Sequence, residues 1–363
     1  MNLFLKKVFL ILLVIFNIFL FYGCTEKKEE KISESKNNEK RENISEENKN
    51  LKGVAISPFT GLYIDENIAK KRPIAVTINN LHKALPQSGI SQADMYYENL
   101  AEGEITRIIA IFQNHNSKKI GPVRSTREYF SYYPLDTDAI YVHHGGSAGG
   151  YQALKDRKVD SIDGMTDTTA FYRDQKRANT PGMYEHSSYI SSDGLNKSIE
   201  NNGYRTQYKG TPLFRFYDEN NIVKGGTNAK QISVPYSYYQ NSEFIYDSES
   251  NLYERHQGGK PQVDQETGET IKVSNIIVQF ADTYVVDEDG RRGINLVGSG
   301  KGQAFYGGEI YNINWSKSNY RTQTQWYNEN GERLTLNPGK TWICVVPLDM
   351  ELFIIPDESL KGV

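Results

Sequence analysis

The chain is poor in cysteine: its 363 residues include only Cys24 and Cys344. The two sit in unlike contexts. One closes an N-terminal apolar run and the other lies inside the apolar stretch 341–347 (TWICVVP). No disulfide is expected between them, and no Cys-based metal-ligand set can be assembled. Cys344 reads as an inert thiol buried in a strand. An excess of charge is also missing. With 42 Lys and Arg against 45 Asp and Glu, the net charge is −3. A chain so balanced has no bulk attraction for nucleic acid, and no nucleic-acid partner is expected. Complete catalytic signatures are missing too. There is no H-E-x-x-H. Neither Ser125 nor Ser147 sits in a G-x-S-x-G elbow. The glycines at 145–150 fit neither G-x-G-x-x-G nor the phosphate-loop pattern. Gly339-Lys340-Thr341 ends like a phosphate loop, but Leu334 stands where the first glycine belongs and a strand follows. The glycines at 298–302 read as another turn between strands, and 287–290 lacks the remaining ligands of an EF-hand. His143 and His144, with Asp163, Asp174, Glu185 and His186, come nearest to a metal set. Adjacent residues on a strand point to opposite faces, however. No metal and no cofactor is therefore expected.

What is present begins with a targeting segment. Lys6 and Lys7 precede a run, 8–22, that is apolar except for Asn17. It is short for a membrane span and has the shape of a signal peptide. A small residue, Gly23, directly precedes Cys24, as in lipoprotein signals whose cysteine is lipidated. Phe21 and Tyr22 depart from the residues usual at those steps. Residues 1–24 are read as a lipoprotein signal peptide, which puts the rest of the chain outside the cytoplasm, anchored to the membrane through lipid on Cys24. Residues 25–54 are almost wholly Lys, Glu, Asn and Ser. They bury too little apolar surface to offset ordering entropy and read as a solvated tether.

From residue 55 the pattern is globular. Strand-like runs at 74–79, 95–98, 105–113 and 139–143 alternate with short helices, expected at 91–94, from about Thr126 to Pro134, at 151–157 and at 191–200. Ser125 and Glu128 have capping-box spacing for the second of these. After about residue 223 the texture changes to strands and tight turns, with runs from 232–236 to 341–346 and hairpin chemistry at Asp289-Gly290 and Asn330-Gly331. The expected fold is mixed α+β. An N-terminal α/β layer (55–222) is followed by a mostly antiparallel β half (223–363), together forming one layered β-β-α sandwich. Tyrosine is abundant at 25 copies, which suits β structure and contacting surfaces.

Arg72-Pro73-Ile74-Ala75-Val76, Pro86-Gln87-Ser88-Gly89, Thr106-Arg107, Ile120-Gly121-Pro122-Val123-Arg124-Ser125, Asp138–His143 and Arg173-Asp174 stand in an order that resembles the YerB-like family. Asn275–Gln279, Gly298–Gly302, Trp315-Ser316-Lys317 and Asn337–Trp342 are similar to its second conserved region. These are lipoproteins of Gram-positive bacteria that carry a domain of unknown function. The resemblance covers roughly 57–348 and implies a lipid-anchored envelope protein with a mixed α/β fold. It brings no reaction. Between Arg177 and Ser188 the chain departs from the family, lacking its proline-histidine-asparagine step.

The stretch 105–150 holds the best candidate site. A helix starting near Thr126 would present free N–H groups and positive potential, with Arg124 and Arg127 beside it. The glycine loop at 145–150 is a second strand–turn–helix. If the two turns are neighbours they line one crevice. The expected ligand-binding residues are Arg107, Gly121, Arg124, Ser125, Arg127, His143, Gly145, Gly146 and Arg173. The competing expectation is that the arginines pair with internal carboxylates such as Glu98, Glu102 or Glu104. The favoured function is a non-catalytic binding or scaffold protein for a cell-wall polymer, anionic or glycan, or for an envelope protein. The alternative is an envelope hydrolase or transferase with Glu98 and Glu102 as paired carboxylates.

Overall fold

The apolar run at 105–113 forms the strand Thr106–Phe112, and every residue of it is buried. The same is true of Ile74–Asn79, Met95–Leu100 and Thr341–Val346. Strands covered on both faces lose period-two alternation and read as continuous apolar runs. In the computed structural model, which describes residues 52–218 and 225–356, these strands form the middle of an 11-stranded sheet. On one side of Met95–Leu100 lie, in order, Thr106–Phe112, Ile74–Asn79, Ile140–His143 and Ser161–Asp163. On the other side lie Thr341–Val346, Asn275–Phe280, Gly298–Tyr306 and Glu309–Lys317. The seam is the parallel pair Met95–Leu100 and Thr341–Val346, with Tyr97 opposite Ile343. Strands from both regions of the sequence thus share one sheet, and Gly53–Val363 forms one compact unit.

A six-stranded antiparallel sheet covers one face of the large sheet. Its Ile232, Val234, Phe244 and Tyr253 pack in one core with Val76, Ile78, Ile108 and Trp342. Helix Ser192–Asn201 joins that core through Leu195 and Ile199. The opposite face carries Tyr129, Phe130 and Tyr133 from the short helices Glu128–Ser131 and Tyr132–Asp136, and Leu154 from helix Ala148–Arg157. The fold is mixed α+β, as the sequence indicated, with a second sheet and helix Ser192–Asn201 on one face and the helices Glu128–Ser131, Tyr132–Asp136 and Ala148–Arg157 on the other.

Several local expectations differ from the structure. Glu128–Ser131 is a 3₁₀ turn whose first flanking residue is Arg127, with no side-chain cap. The capping box fails because the Ser125 hydroxyl accepts instead from Arg127 Nη1 at 3.1 Å. Pro134 does not end the following helix but occupies its third position, where a missing N–H costs nothing. Helix Ser192–Asn201 lies where a helix was expected and is capped by Ser191, whose side chain accepts from the Gly194 N–H. The glycines read as a turn at 298–302 lie inside the strand Gly298–Tyr306. Two of them are small because neighbours crowd them: a Cβ on Gly300 would lie 2.7 Å from Trp315 Nε1, and one on Gly302 2.6 Å from the Val278 oxygen. The signal segment, Cys24 and nearly all of the charged tether lie outside the described residues. Among the described residues no helix is long and apolar enough to cross a membrane.

Candidate functional site

Arg107 lies within a strand that has no solvent face, so its charge must be met inside the protein. Glu102, in the turn just before that strand, meets it. The Arg107 guanidinium donates to Glu102 Oε1 through Nη2 and to the Ser125 carbonyl oxygen, 2.8 Å away, through Nη1. Arg127 closes the other side. Its Nε donates to Glu102 Oε2 at 2.9 Å, its Nη2 to the same oxygen, and its Nη1 to the Thr126 carbonyl oxygen at 2.6 Å. One carboxylate thus sits between two guanidiniums. Burial pulls the Arg107 pKa down to about 9, the neighbouring Arg127 adds to the fall, and Glu102 opposes it. Arg107, Arg127 and Ser125 are parts of an internal brace that fixes the 124–127 turn.

The two turns are neighbours. Thr126 N–H donates to the Gly145 carbonyl oxygen at 2.9 Å, and Thr126 bridges Gly146. A Cβ on Gly146 would lie 2.6 Å from Thr126 Cγ2, so the contact requires glycine. Two of the backbone donors that an anion would need are already engaged. Gly145 N–H donates to Asp163 Oδ1 at 2.7 Å, and Gly121 N–H to the Ser88 carbonyl oxygen at 3.1 Å. Gly121 also has φ +144° and close approach to Tyr189, so its glycine is explained by backbone geometry. His143 is buried. Its Nδ1 lies 2.9 Å from the Gly145 carbonyl oxygen, its ring stacks on Tyr141, and its Nε2 has no partner among the described residues. Burial holds its pKa below the ordinary value, against the pull of Asp163. Gly121 and Gly145 therefore shape the strand ends rather than offer free donors, Gly146 packs against Thr126, and His143 is enclosed.

Arg124 and Arg173 stand differently. Arg124 reaches Glu185, with Nη2 3.2 Å from Oε2, and Glu185 is 71% exposed. Arg173 donates to the Tyr184 carbonyl oxygen at 2.9 Å and to Ser187 Oγ at 3.1 Å, and lies over the Tyr184 ring at 4.1 Å. Among the described residues it has no carboxylate partner. His144 lies between the two arginines: its N–H donates to the Arg124 carbonyl oxygen at 3.0 Å, and its Nε2 lies 3.5 Å from Arg173 Nη2. Since a guanidinium only donates, Nε2 is the acceptor and Nδ1–H faces Ser188 Oγ at 2.7 Å. His186 lies with its Nδ1 2.7 Å from Asn79 Nδ2. Both histidines titrate below the ordinary range. For each, burial is the main cause, followed by Arg173 for His144 and by Arg124 for His186. At each imidazole a guanidinium adds to the effect of burial, opposed by Asp163 at His144 and by Glu185 at His186. His144 and His186 were named in the sequence only as members of a metal set. Among the described residues no group of three or more His, Cys, Asp or Glu could hold a metal.

Glu98 and Glu102 do not meet. Glu98 shares the sheet face of Tyr96 and Ile108, whereas Arg107, which holds Glu102, shares the face of Ile109. The sheet itself separates the two carboxylates. Glu98 is also fully engaged: it accepts from Asn80 Nδ2 at 2.9 Å, Thr106 Oγ1 at 2.9 Å, Ser242 Oγ at 2.8 Å, Trp342 Nε1 at 3.0 Å and Arg255 Nη2 at 3.2 Å. A carboxylate so saturated and enclosed has no lone pair directed at a substrate.

Two family models match the chain. That of the "Protein of unknown function (DUF3048) N-terminal domain" spans residues 59–205, and that of its C-terminal domain spans 232–343. A Bacillus subtilis (strain 168) protein named "Putative lipoprotein YerB" is 37% identical over 296 residues, which is 80% of this chain and 86% of that one. The crystal structure of YerB protein from Bacillus subtilis superposes with a TM-score of 0.73 at 35% identity, covering 82% of this chain and 99% of that one.

Proposed function

The chain belongs to the DUF3048 family, and from that premise we propose that it is a lipoprotein anchored through Cys24 at the outer face of the membrane, where it binds rather than catalyses. The ligand class is an anionic or glycan component of the cell wall, or an envelope protein presenting such groups. The supporting observation is the split among the arginines. Arg107 and Arg127 are neutralised internally by Glu102, but Arg124 and Arg173 are not matched by a buried carboxylate. Guanidiniums partly in solvent, already oriented by backbone carbonyls, receive a carboxylate or phosphate at little ordering cost. Tyr184 and Met165, 59% and 66% exposed, offer apolar surface beside them. An alternative with Glu98 and Glu102 as acid and base requires them to share a site, and they lie on opposite faces.

The test is retention of the Gly53–Val363 unit on isolated cell wall. Arg124→Ala should abolish retention, and Arg173→Ala should weaken it about tenfold or more, as the loss of a charge-assisted hydrogen bond implies. Melting temperature should hardly change, since neither arginine is buried in the core. Where the wall ligand is bound, the His144 pKa should rise as the field of Arg173 is neutralised. Equal retention by wild type and both variants refutes the reading. In cells, Cys24→Ser should move the full chain from the membrane to the soluble fraction, which tests the anchor separately.

A further inference from the structure

Arg124 and Arg173 have further cations beside them. The chain leaves strand Ile74–Asn79 and enters the 3₁₀ turn His82–Ala84. Asn79 ties that exit to a second turn, Tyr184–His186. Its side-chain oxygen accepts from the Leu81 N–H at 3.1 Å, and its Nδ2 donates to His186 Nδ1 at 2.7 Å. The second turn carries the two arginines on successive carbonyl oxygens, Tyr184 for Arg173 at 2.9 Å and Glu185 for Arg124 at 3.4 Å. The first turn carries Arg177, whose Nη1 donates to the Ala84 carbonyl oxygen at 3.0 Å and whose Nη2 donates to that of Pro86 at 2.9 Å. Lys83 lies in the same turn and is exposed. Four cations thus hang on one connected set of backbone anchors.

The carboxylates nearby do not match them. Among the described residues Lys83, Arg173 and Arg177 form no ion pair, and Arg124 has only the exposed Glu185. Asp174 is taken up by Lys119 at 2.6 Å and by the Arg177 N–H at 2.9 Å. Asp163 is taken up by the N–H groups of Gly145 and Met165 and by the Tyr151 hydroxyl. Counting Lys119, five cations meet three carboxylates here, in a chain whose net charge is −3. The buried His186 registers the excess. After burial, Arg124, Arg177 and Lys83 all lower its pKa, and Glu185 alone opposes them.

The internal brace shows how much one carboxylate can satisfy. Glu102 uses both oxygens to hold two guanidiniums, those of Arg107 and Arg127. Four cations anchored on separate carbonyl oxygens exceed that capacity, and they suit successive charges along a chain. We propose that the ligand is a linear polyanion, a polymer of repeating phosphate or carboxylate groups, which engages Lys83 and Arg177 as well as Arg124 and Arg173. The inference rests on the binding role proposed above and adds the class of ligand. The three guanidiniums are already placed by carbonyl oxygens, so little ordering is lost on contact. Lys83 adds a flexible point charge that can follow the polymer. Glu185 is the side chain the polymer must displace from Arg124, and an exposed pair of this kind is weak.

The experiment is calorimetric titration of the Gly53–Val363 unit with linear polyphosphate and poly-L-glutamate, with orthophosphate and dextran as comparison ligands. At least one polyanion should bind saturably at low salt and weaken as salt is added, and the tighter of the two identifies the repeating group. Orthophosphate, which offers a single anionic group, should bind about tenfold more weakly or worse, and dextran should not bind. Lys83→Ala and Arg177→Gln should each weaken the polymer about two- to fivefold, the effect of one exposed charge contact. Lys209→Ala should bind like wild type. That lysine is exposed and lies beside Asp138, where strand Ile140–His143 begins rather than ends. Should Arg177→Gln unfold, Lys83→Ala, at an exposed turn position, carries the test alone. The proposal is overturned if neither polymer binds, if orthophosphate binds as tightly as the polymers, if Lys83→Ala binds like wild type, or if Lys209→Ala loses as much as Lys83→Ala. Full retention of Arg124→Ala on isolated cell wall sinks the binding role itself. Loss of that retention, with polymer binding unchanged in Lys83→Ala, sinks the polyanion alone.

Discussion

The strongest structural prediction concerns Glu98 and Arg255. Both are completely buried, and they join strand Met95–Leu100 of the large sheet to strand Leu252–Gln257 of the smaller one. Removing one partner of such a pair leaves a charge in a low-dielectric interior and costs about 3–5 kcal/mol. The two deletions should not be equal. In Arg255→Met the carboxylate keeps Asn80, Thr106, Ser242 and Trp342 as donors, so the loss belongs near the lower figure. In Glu98→Ala the Thr106, Ser242 and Trp342 donors lose their acceptor, and the guanidinium is left with only the neutral oxygens of Gln257, Gln262 and Ser242. Each stranded donor costs about 1–3 kcal/mol where it cannot reorient, so the loss belongs at or above the upper figure. Unfolding entropy is about 2.1 cal/mol/K per residue. Over the Gly53–Val363 unit that places the melting decrease at about 5 °C for Arg255→Met and about 8 °C or more for Glu98→Ala. Urea titrations and calorimetry at neutral pH measure both. If Arg255→Met costs as much as Glu98→Ala, or if either lies within about 1 kcal/mol of wild type, which is the ordinary size of a point mutation, the proposed ordering of these contacts is wrong.

Asp94 is buried, and its pKa is pushed up to about 6, by desolvation first, with the Gln113 N–H and Lys340 opposing. A carboxyl raised above its unfolded value near 3.9 binds a proton more readily in the fold, so its contribution to stability grows as pH falls from about 6 to about 4. Asp94→Asn should remove that increment, seen as a smaller difference in unfolding free energy between pH 4 and pH 6 than in wild type; an unchanged difference refutes the assignment. Cys344 is wholly enclosed and its thiol is pushed far up by burial, so it should resist a thiol reagent until the protein unfolds. Its labelling rate should follow the global unfolding equilibrium across a urea series, and fast labelling in native buffer would contradict its placement.

The strands were legible because the physics that buries them also writes them. Thr341–Val346 was expected at 341–346, and Gln231–Pro235 lies one residue from the expected 232–236. What could not be read was long-range partnership. Nothing local in Met95–Leu100 says that it pairs in parallel with Thr341–Val346, or that Glu98 will find Arg255. The glycines at 298–302 were misread for the same reason. A turn and a strand crossing under Trp315 both require a missing Cβ, and only the neighbour tells them apart. The capping box at Ser125 met a competitor, Arg127, that spacing along the chain cannot weigh.

The arginines show how far sequence could have gone. Arg107 falls inside a run whose continuous apolar character already implies cover on both faces. A charge in such a run has no route to water, so it must be paired internally, and the nearest acidic residues are in the turn just before it. That argument alone assigns Arg107 to a brace rather than a site, and the brace to Glu102 shows it to be sound. Arg124 and Arg173 fall instead at the edges of polar, loop-rich segments, where a guanidinium can reach solvent. Arg127 breaks the pattern, because it sits beside Arg124 in the sequence and yet points inward to the same Glu102. The turn directs the two arginines apart, Arg127 toward the core and Arg124 toward Glu185. The distinction between structural and ligand-facing arginine therefore rests on whether a residue's segment is covered, and, inside a turn, on which way the backbone aims it. The first is written in the sequence, and the second is decided by the strands that hold the turn.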